Sequence, residues 1–170
     1  MLSSQMSPEV RNLMIRRKSR RRSSRWSATS HMTAPNIRKV RVRWTGEGLA
    51  FEGTPERGPS IVIDSDLEKG PSPTHTLLMA LAACMAVDVK MILEKGRVPL
   101  DGIEVEASGV RAEEAPKKFT AITLTYELRG PGPEHQNKIQ RALELSRDKY
   151  CSVMHSLDPS IQVELRSVLV

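Results

Sequence analysis

The chain contains two cysteines, Cys84 and Cys151, which are the residues with the most distinctive potential chemistry. Cys84 lies in the largely apolar stretch PSPTHTLLMALAACMAVDVK, residues 71–90, and Cys151 begins the segment CSVMHSL. A free cysteine is often a small buried hydrophobe, so packing alone would explain either one. The alternative is redox chemistry, in which a thiolate attacks a peroxide, becomes a sulfenic acid and condenses with a second thiol.

A reactive cysteine needs a neighbour that favours its thiolate form. Free cysteine has a pKa of about 8.5, so only a small fraction is ionised at neutral pH. Burial of Cys84 among apolar side chains would raise its pKa further. A catalytic Cys84 therefore requires a cation, and Arg41, Arg43 and Arg57 are the candidates.

Three other ionisable residues lie near the cysteines in the sequence. Asp88 is one helical turn after Cys84, where an anion would disfavour a thiolate. His75 is nine residues before Cys84, which places it about 180° around the helix, on the opposite face. His155 follows Cys151 by four residues and could share its face. For both histidines a surface or packing role is the alternative.

The cysteine spacing and the apolar segments predict a metal-free cytoplasmic protein. Two cysteines without a CxxC or HxxxH pattern do not make a zinc site, so we expect no metal and no bound cofactor. No apolar signal sequence precedes the body, and in a reducing compartment a disulfide is more often transient than structural. The longest apolar run, TLLMALAACMAV, is shorter than the roughly 20 residues that a membrane span needs.

The basic residues are concentrated at the beginning of the chain. Residues 1–31 hold eight of the 26 Lys and Arg and one of the 20 Asp and Glu, which leaves 18 basic and 19 acidic residues in the remainder. A near-neutral body argues against a nucleic-acid partner. The segment RRKSRRRSSRWSATS has no apolar periodicity, so residues 1–36 are predicted to be a disordered tail. It could be a transit peptide, a nucleic-acid arm, a phosphorylatable tail or an extension upstream of a true start at Met32.

Residues 37–170 are predicted to form one α+β domain in the order βββ-α-ββ-α-β, with mainly antiparallel pairing. Alternation of apolar and polar residues predicts six strands. Their sequences are IRKVRVRW, LAFEG, SIVID, GIEVEASGV, FTAITLTYEL and SIQVELRSV. In the first of these, Val40, Val42 and Trp44 are expected on one buried face. The segment CSVMHSL is predicted to add a short helical turn before the last strand.

Two helices complete the pattern. The first has Ser72 as its N-cap and Pro73 at its first position, and it runs to about Lys95 with Gly96 as the C′ residue. It is apolar on nearly all sides, so it must be covered by sheet or by a second subunit. The second, PEHQNKIQRALELSRDKY, carries one buried face, for which the expected residues are Ile139, Ala142, Leu143, Ser146 and Tyr150.

The two cysteine segments together resemble the OsmC/Ohr superfamily of osmotically induced and organic-hydroperoxide-resistance proteins. The segments are GPSPTHTLLMALAACMAVDVKMIL and KYCSVMHSL. The resemblance covers residues 37–170. It implies an intertwined homodimer in which two long central helices lie between sheets from both chains. It also implies a two-cysteine peroxidase of oxidative-stress defence, with Cys84 as the peroxidatic thiol and Cys151 as the resolving thiol. An external dithiol, such as a lipoyl group, would reduce the disulfide.

The sequence departs from the family at the residues that activate the thiol. In the peroxidases an arginine from the β1–β2 region and a glutamate near the start of the cysteine helix flank the thiolate. Here TGEGLAFEG contains no arginine, and the glutamate positions hold Thr74 and His75. The alternative function is therefore an OsmC-fold redox sensor, sulfur-transfer protein or small-ligand binder. A third hypothesis, a nucleic-acid-associated protein acting through the tail, predicts that deletion of residues 1–31 abolishes binding.

Overall fold

The computed structural model describes residues 36–170. The predicted disordered tail, residues 1–36, lies outside the described residues except for its last position. The described part contains six strands and two α-helices in the predicted order, which confirms the α+β class. The elements are β1 (Val40–Trp44), β2 (Ala50–Pro55), β3 (Ile61–Asp64), α1 (Pro73–Lys95), β4 (Gly102–Arg111), β5 (Phe119–Arg129), α2 (Gln136–Leu145) and β6 (Gln162–Leu169).

The strands form two three-stranded sheets. In the first sheet β2 lies between β1 and β3, and both pairings are antiparallel. In the second sheet β5 lies between β4 and β6. The β4–β5 pairing is antiparallel and the β5–β6 pairing is parallel, because the chain returns to the sheet through α2. Pairing is therefore mainly antiparallel, as the sequence predicts.

The beginning of α1 follows the sequence prediction, whereas its end is shifted by one residue. Ser72 is the N-cap, and its Oγ accepts a hydrogen bond from the backbone N–H of His75. Gly96 is the C-cap in a right-handed conformation, and Arg97 takes the left-handed conformation, with φ of 54°. The N–H of Val98 bonds the carbonyl of Leu93 at 3.0 Å. This 6→1 bond is that of a Schellman motif with Arg97, not Gly96, at C′.

The core lies between one face of α1, the second sheet and α2. The inward residues predicted for β5 are all buried: Ile122, Leu124, Tyr126 and Leu128. Helix α1 contributes Leu78, Leu81, Ala82, Met85, Val89 and Leu93, and helix α2 contributes Ile139, Ala142 and Leu143. Because α1 packs on both the sheet and α2, the position of any residue on its inner face is fixed from two sides.

The opposite face of α1 and the strand β1 are exposed in the single chain. Leu77, Met79, Val87 and Met91 are exposed on the helix. The prediction that β1 is half-buried is wrong for this chain alone, since all five of its residues are exposed. The physical reason is that no element within residues 36–170 packs over the apolar face of β1.

The argument from length against a membrane span does not hold for α1. The helix has 23 residues and is long and apolar enough to cross a membrane, by length and composition only. Its buried face nevertheless packs against a sheet and a second helix, as a core helix does. The expectation of no membrane partner therefore stays a prediction.

The second predicted helix is divided into three parts. A 3₁₀ turn (Pro133–His135) precedes α2, and a π-helical turn (Ser146–Tyr150) follows it. A π turn has more residues per turn than an α-helix, so it changes which side chains face inward. Ser146 is buried as expected, but Tyr150 is about half exposed, which corrects the prediction that it faces the core. A short 3₁₀ turn (Met154–Ser156) confirms the predicted helical turn after Cys151.

Candidate functional site

The structure brings the two cysteines together although they are 67 positions apart in the sequence. Cys84 is in the middle of α1, and Cys151 directly follows the π-helical turn after α2. Both thiols are free, and their Sγ atoms lie within 4.8 Å of each other. Because α1 and α2 pack against each other in the core, this proximity is held by the fold. The sulfur atoms are close enough for a disulfide after a small rearrangement.

The π-helical turn sets the position of Cys151. The backbone N–H of Cys151 donates to the carbonyl of Ser146 at 2.9 Å, which closes the turn. The N–H of Met154 donates to the Sγ atom of Cys151 at 3.3 Å. Cys151 is fully buried, and burial raises the pKa of its thiol to about 11. The neighbouring Cys84 raises this pKa further, whereas the N–H groups of Met154 and Val153 partly offset the shift.

Asp88 is the third member of the site. One of its carboxylate oxygens lies within 4.8 Å of both sulfur atoms, as its position one turn after Cys84 indicates. The Ser146 hydroxyl donates to the Asp88 carboxylate at 3.0 Å. Ser146 is buried, so this bond ties the carboxylate to the beginning of the π-helical turn. The thiols therefore share their site with an anion.

Tyr126 adds a second hydroxyl to the interior near the cysteines. It lies on β5 and is fully buried, and within residues 36–170 its hydroxyl is the one buried side-chain polar atom without a hydrogen-bond partner. Burial is the main cause of its raised pKa, and the charges of Cys151 and Asp88 raise it further. Sequence reasoning placed Tyr126 and Ser146 on buried faces without assigning them to the site. The signal in the sequence that could have assigned Tyr126 and Ser146 to the site is that each places a hydroxyl on an otherwise apolar face.

The cation expected beside Cys84 is not among the groups that shift the pKa of the neighbouring Cys151. The pKa of Cys151 responds to burial, to backbone N–H groups and to Cys84, none of which is a cation. Arg41 and Arg43 are exposed on β1, where Arg43 forms an ion pair with Glu52 at 2.8 Å. Arg57 is exposed in the segment after β2. Within the described chain, these arginines give no support to the predicted thiolate–cation pair.

The two histidines lie outside the group of ligand atoms around Cys84. The ring Nδ1 of His75 hydrogen-bonds Ser72 Oγ at 2.8 Å, so this residue belongs to the N-terminal cap of α1. His155 is exposed and lies near Asp148, where it helps Arg147 to lower the pKa of that carboxyl. Both positions agree with the surface or packing role.

The family model for OsmC-like proteins matches residues 66–166, a span that includes α1, α2 and both cysteines. The chain belongs to the OsmC family. Protein YhfA of Escherichia coli strain K12 is 39% identical to it over 126 residues, which cover 74% of this chain and 92% of YhfA. The resemblance deduced from the two cysteine segments is thereby confirmed.

Solved structures of the family have the same fold. A hypothetical protein from Aquifex aeolicus VF5 has a TM-score of 0.69 and 27% identity, with 79% of this chain and 96% of that chain covered. The organic hydroperoxide resistance protein OhrB of Bacillus subtilis has a TM-score of 0.55 and 18% identity, with 78% and 98% covered. This OsmC family member therefore shares its α+β fold with both of these proteins.

Proposed function

We propose that this OsmC family member reduces organic hydroperoxides with Cys84 and Cys151. The observation that supports the proposal most strongly is the approach of the two free sulfur atoms to within 4.8 Å. Two cysteines that served only packing would have no reason to converge from such distant parts of the sequence. The name of the Bacillus subtilis relative, an organic hydroperoxide resistance protein, suggests the substrate class.

The reaction needs two thiols and one external reductant. The Cys84 thiolate attacks one peroxide oxygen, the O–O bond breaks, and the alkoxide leaves and is protonated to an alcohol. Cys84 is then a sulfenic acid. The Cys151 thiolate attacks its sulfur and expels the oxygen as hydroxide, which becomes water, and a disulfide forms. An external dithiol, for which a lipoyl group is the candidate, reduces the disulfide by two exchange steps.

Burial supports the assignment of the two roles. Cys84 is partly accessible on α1, whereas Cys151 is fully buried and its thiol has a raised pKa. A hydroperoxide from solvent can reach only an accessible sulfur, so Cys84 is the attacking residue. Cys151 needs to react only with its neighbour, for which burial is no obstacle. The proposed cycle needs both thiols to be reduced again after each turnover, and we propose a cytoplasmic location because a reducing compartment favours that state.

Asp88 favours a second candidate function, a slow redox sensor, sulfur-transfer protein or small-ligand binder. Its carboxylate lies beside both sulfur atoms, whereas the arginine that flanks the thiolate in the peroxidases of the family has no counterpart in TGEGLAFEG. An anion disfavours the thiolate on which attack depends. The two candidates differ in rate, because a peroxidase must turn over quickly and a sensor needs only to form its disulfide.

The test is consumption of cumene hydroperoxide with reduced lipoamide as electron donor. We expect Cys84→Ser to reduce consumption to the rate without protein. We expect Cys151→Ser to lose turnover but to form a sulfenic acid that dimedone traps. Ala83→Ser is the matched control, since it introduces the same hydroxyl beside Cys84 and should keep the wild-type rate.

The same assay separates the candidates. Rapid turnover by the wild type supports the peroxidase. Disulfide formation by mass spectrometry without appreciable turnover supports the sensor. Wild-type protein that forms neither a disulfide nor a sulfenic acid with excess hydroperoxide would contradict both redox functions and leave sulfur transfer or ligand binding.

A further inference from the structure

Cys84, Asp88 and Cys151 form a set of metal-ligand atoms. Within residues 36–170 they are the one group of three or more Cys, His, Asp or Glu residues whose ligand atoms all lie within 4.8 Å of one another. Cys84 and Asp88 are four residues apart on α1, the spacing at which two helical side chains can hold one ion. The third ligand comes from a different element, so the set is assembled by tertiary packing.

The distances suit a tetrahedral zinc ion after a small contraction. Zinc binds thiolate sulfur at about 2.3 Å and carboxylate oxygen at about 2.0–2.2 Å. Two sulfur atoms on one tetrahedral ion are consequently about 3.8 Å apart. The ligand atoms lie within 4.8 Å, so each pair has to approach by about 1 Å or less. Rotation of the partly exposed Cys84 and Asp88 side chains on α1 can supply such a movement.

The residues around the set provide the outer hydrogen bonds that a metal site uses. Ser146 donates to the Asp88 carboxylate at 3.0 Å and so fixes the orientation of that ligand. The buried hydroxyl of Tyr126 lacks a protein partner, and the charges of both Cys151 and Asp88 act on it. A buried hydroxyl normally has a hydrogen-bond partner, so the Tyr126 hydroxyl is free to bond a group that binds in this part of the interior.

We propose that the reduced protein binds one zinc ion through Cys84, Asp88 and Cys151, with the fourth position open to water near Tyr126. Two thiolates and one carboxylate favour zinc over magnesium or calcium, which prefer oxygen ligands. Three protein ligands and one open position are the arrangement of catalytic rather than structural zinc sites. The expectation of no metal rests on two cysteines without a CxxC or HxxxH pattern, whereas Asp88 is the ligand that completes the set.

Zinc binding and disulfide formation exclude each other. A disulfide removes both thiolates and leaves Asp88 as the single protein ligand. Two thiolates, one hydroperoxide and two protons give one disulfide, one alcohol and one water, and the ion is released. This release rests on the proposed function, whereas zinc binding by the reduced protein does not. Zinc would thus protect the thiols until a hydroperoxide oxidises them.

The binding experiment uses the full reduced chain, zinc chloride and a competing chromophoric chelator. We expect one zinc ion per chain, and Asp88→Asn should weaken binding at least about tenfold. Asp66→Asn is the matched control, because Asp66 is an exposed aspartate after β3 and should leave the affinity unchanged. Cobalt should give a sulfur-to-metal charge-transfer band that Cys84→Ser and Cys151→Ser both diminish.

A second measurement needs no variant. Zinc should slow alkylation of both wild-type cysteines by iodoacetamide, and protein oxidised to the disulfide should bind no zinc. Absence of stoichiometric binding by the reduced wild type, or an affinity unchanged by Asp88→Asn, would overturn the three-ligand site. The hydroperoxide assay is run with a chelator present, so that failure of zinc binding and failure of the redox function are seen separately.

Discussion

At the scale of single residues, the two sulfur atoms share one site but have different surroundings. Cys84 is partly accessible, and Cys151 is fully buried with a thiol pKa raised to about 11. Asp88 lies beside both, held by the Ser146 hydroxyl. Under the two proposals, the sulfur atoms carry the redox step, and the same atoms together with the Asp88 carboxylate hold zinc while the thiols are reduced.

The Tyr126 hydroxyl gives a stability prediction for the reduced, metal-free protein. A buried hydroxyl without a partner loses its hydration on folding and gains no bond in return. Tyr126→Phe should therefore raise the free energy of unfolding by about 1 kcal/mol, measured by urea denaturation. Tyr150→Phe is the control, since Tyr150 is about half exposed and should behave as wild type. A loss of stability in Tyr126→Phe would show that the hydroxyl is hydrogen-bonded.

At the scale of elements, local sequence signals determine α1 and most strands. Ser72 and Pro73 correctly predict where α1 begins, and alternation correctly predicts the inward residues of β5. The convergence of Cys84 and Cys151 also followed from the family resemblance. Local signals are enough to predict the start of α1 and the inward face of β5, because caps and alternation act over only a few residues.

The features that sequence reasoning missed depend on packing or on single backbone choices. Arg97, not Gly96, takes the left-handed conformation, which allows the N–H of Val98 to donate to the carbonyl of Leu93. The π-helical turn directs Tyr150 toward solvent, although Tyr150 continues the three- and four-residue apolar spacing of the second predicted helix. The partnership of Ser146 with Asp88 joins residues 58 positions apart, and no periodicity within one helix reports such a contact.

An ion pair at the start of β5 gives a pH prediction. Lys118 donates to Asp158 at 2.8 Å, and this bond, followed by the N–H of Ser160, holds the pKa of Asp158 below its usual value. A lowered pKa in the folded state means that the contribution to stability is present above the unfolded pKa of about 4 and is lost as the pH falls below it.

The stability advantage of the wild type over Asp158→Asn should therefore be larger at about pH 6 than at about pH 3, as measured by urea midpoints. The pair is exposed, so the difference is expected to be small. A second comparison uses a chain that carries Lys118→Met. In that chain, the effect of Asp158→Asn on stability should depend less on pH, because the ion pair is already lost. An equal effect of Asp158→Asn at both pH values would mean that the carboxylate is not stabilised by the fold.

At the scale of the whole molecule, the single chain leaves two apolar surfaces uncovered. Met79, Val87 and Met91 on α1 are each more than half exposed, as are Val40, Val42 and Trp44 on β1. Exposed apolar surfaces of this kind are typical of interaction sites. An intertwined OsmC-type homodimer, which the family resemblance implies, would place a second copy of the chain over both, and we propose that state.

Met91→Glu tests the dimer. Light scattering at micromolar concentration should give twice the chain mass for the wild type and a shift toward the chain mass for the variant. The reason is that a carboxylate buried in an apolar interface without a partner is costly. Val110→Glu is the matched control, because Val110 is as exposed as Met91, at 63%, and belongs to β4 rather than to α1 or β1. It should stay dimeric. A folded wild-type monomer at that concentration would contradict the proposal, and the apolar face of α1 would then need a different partner.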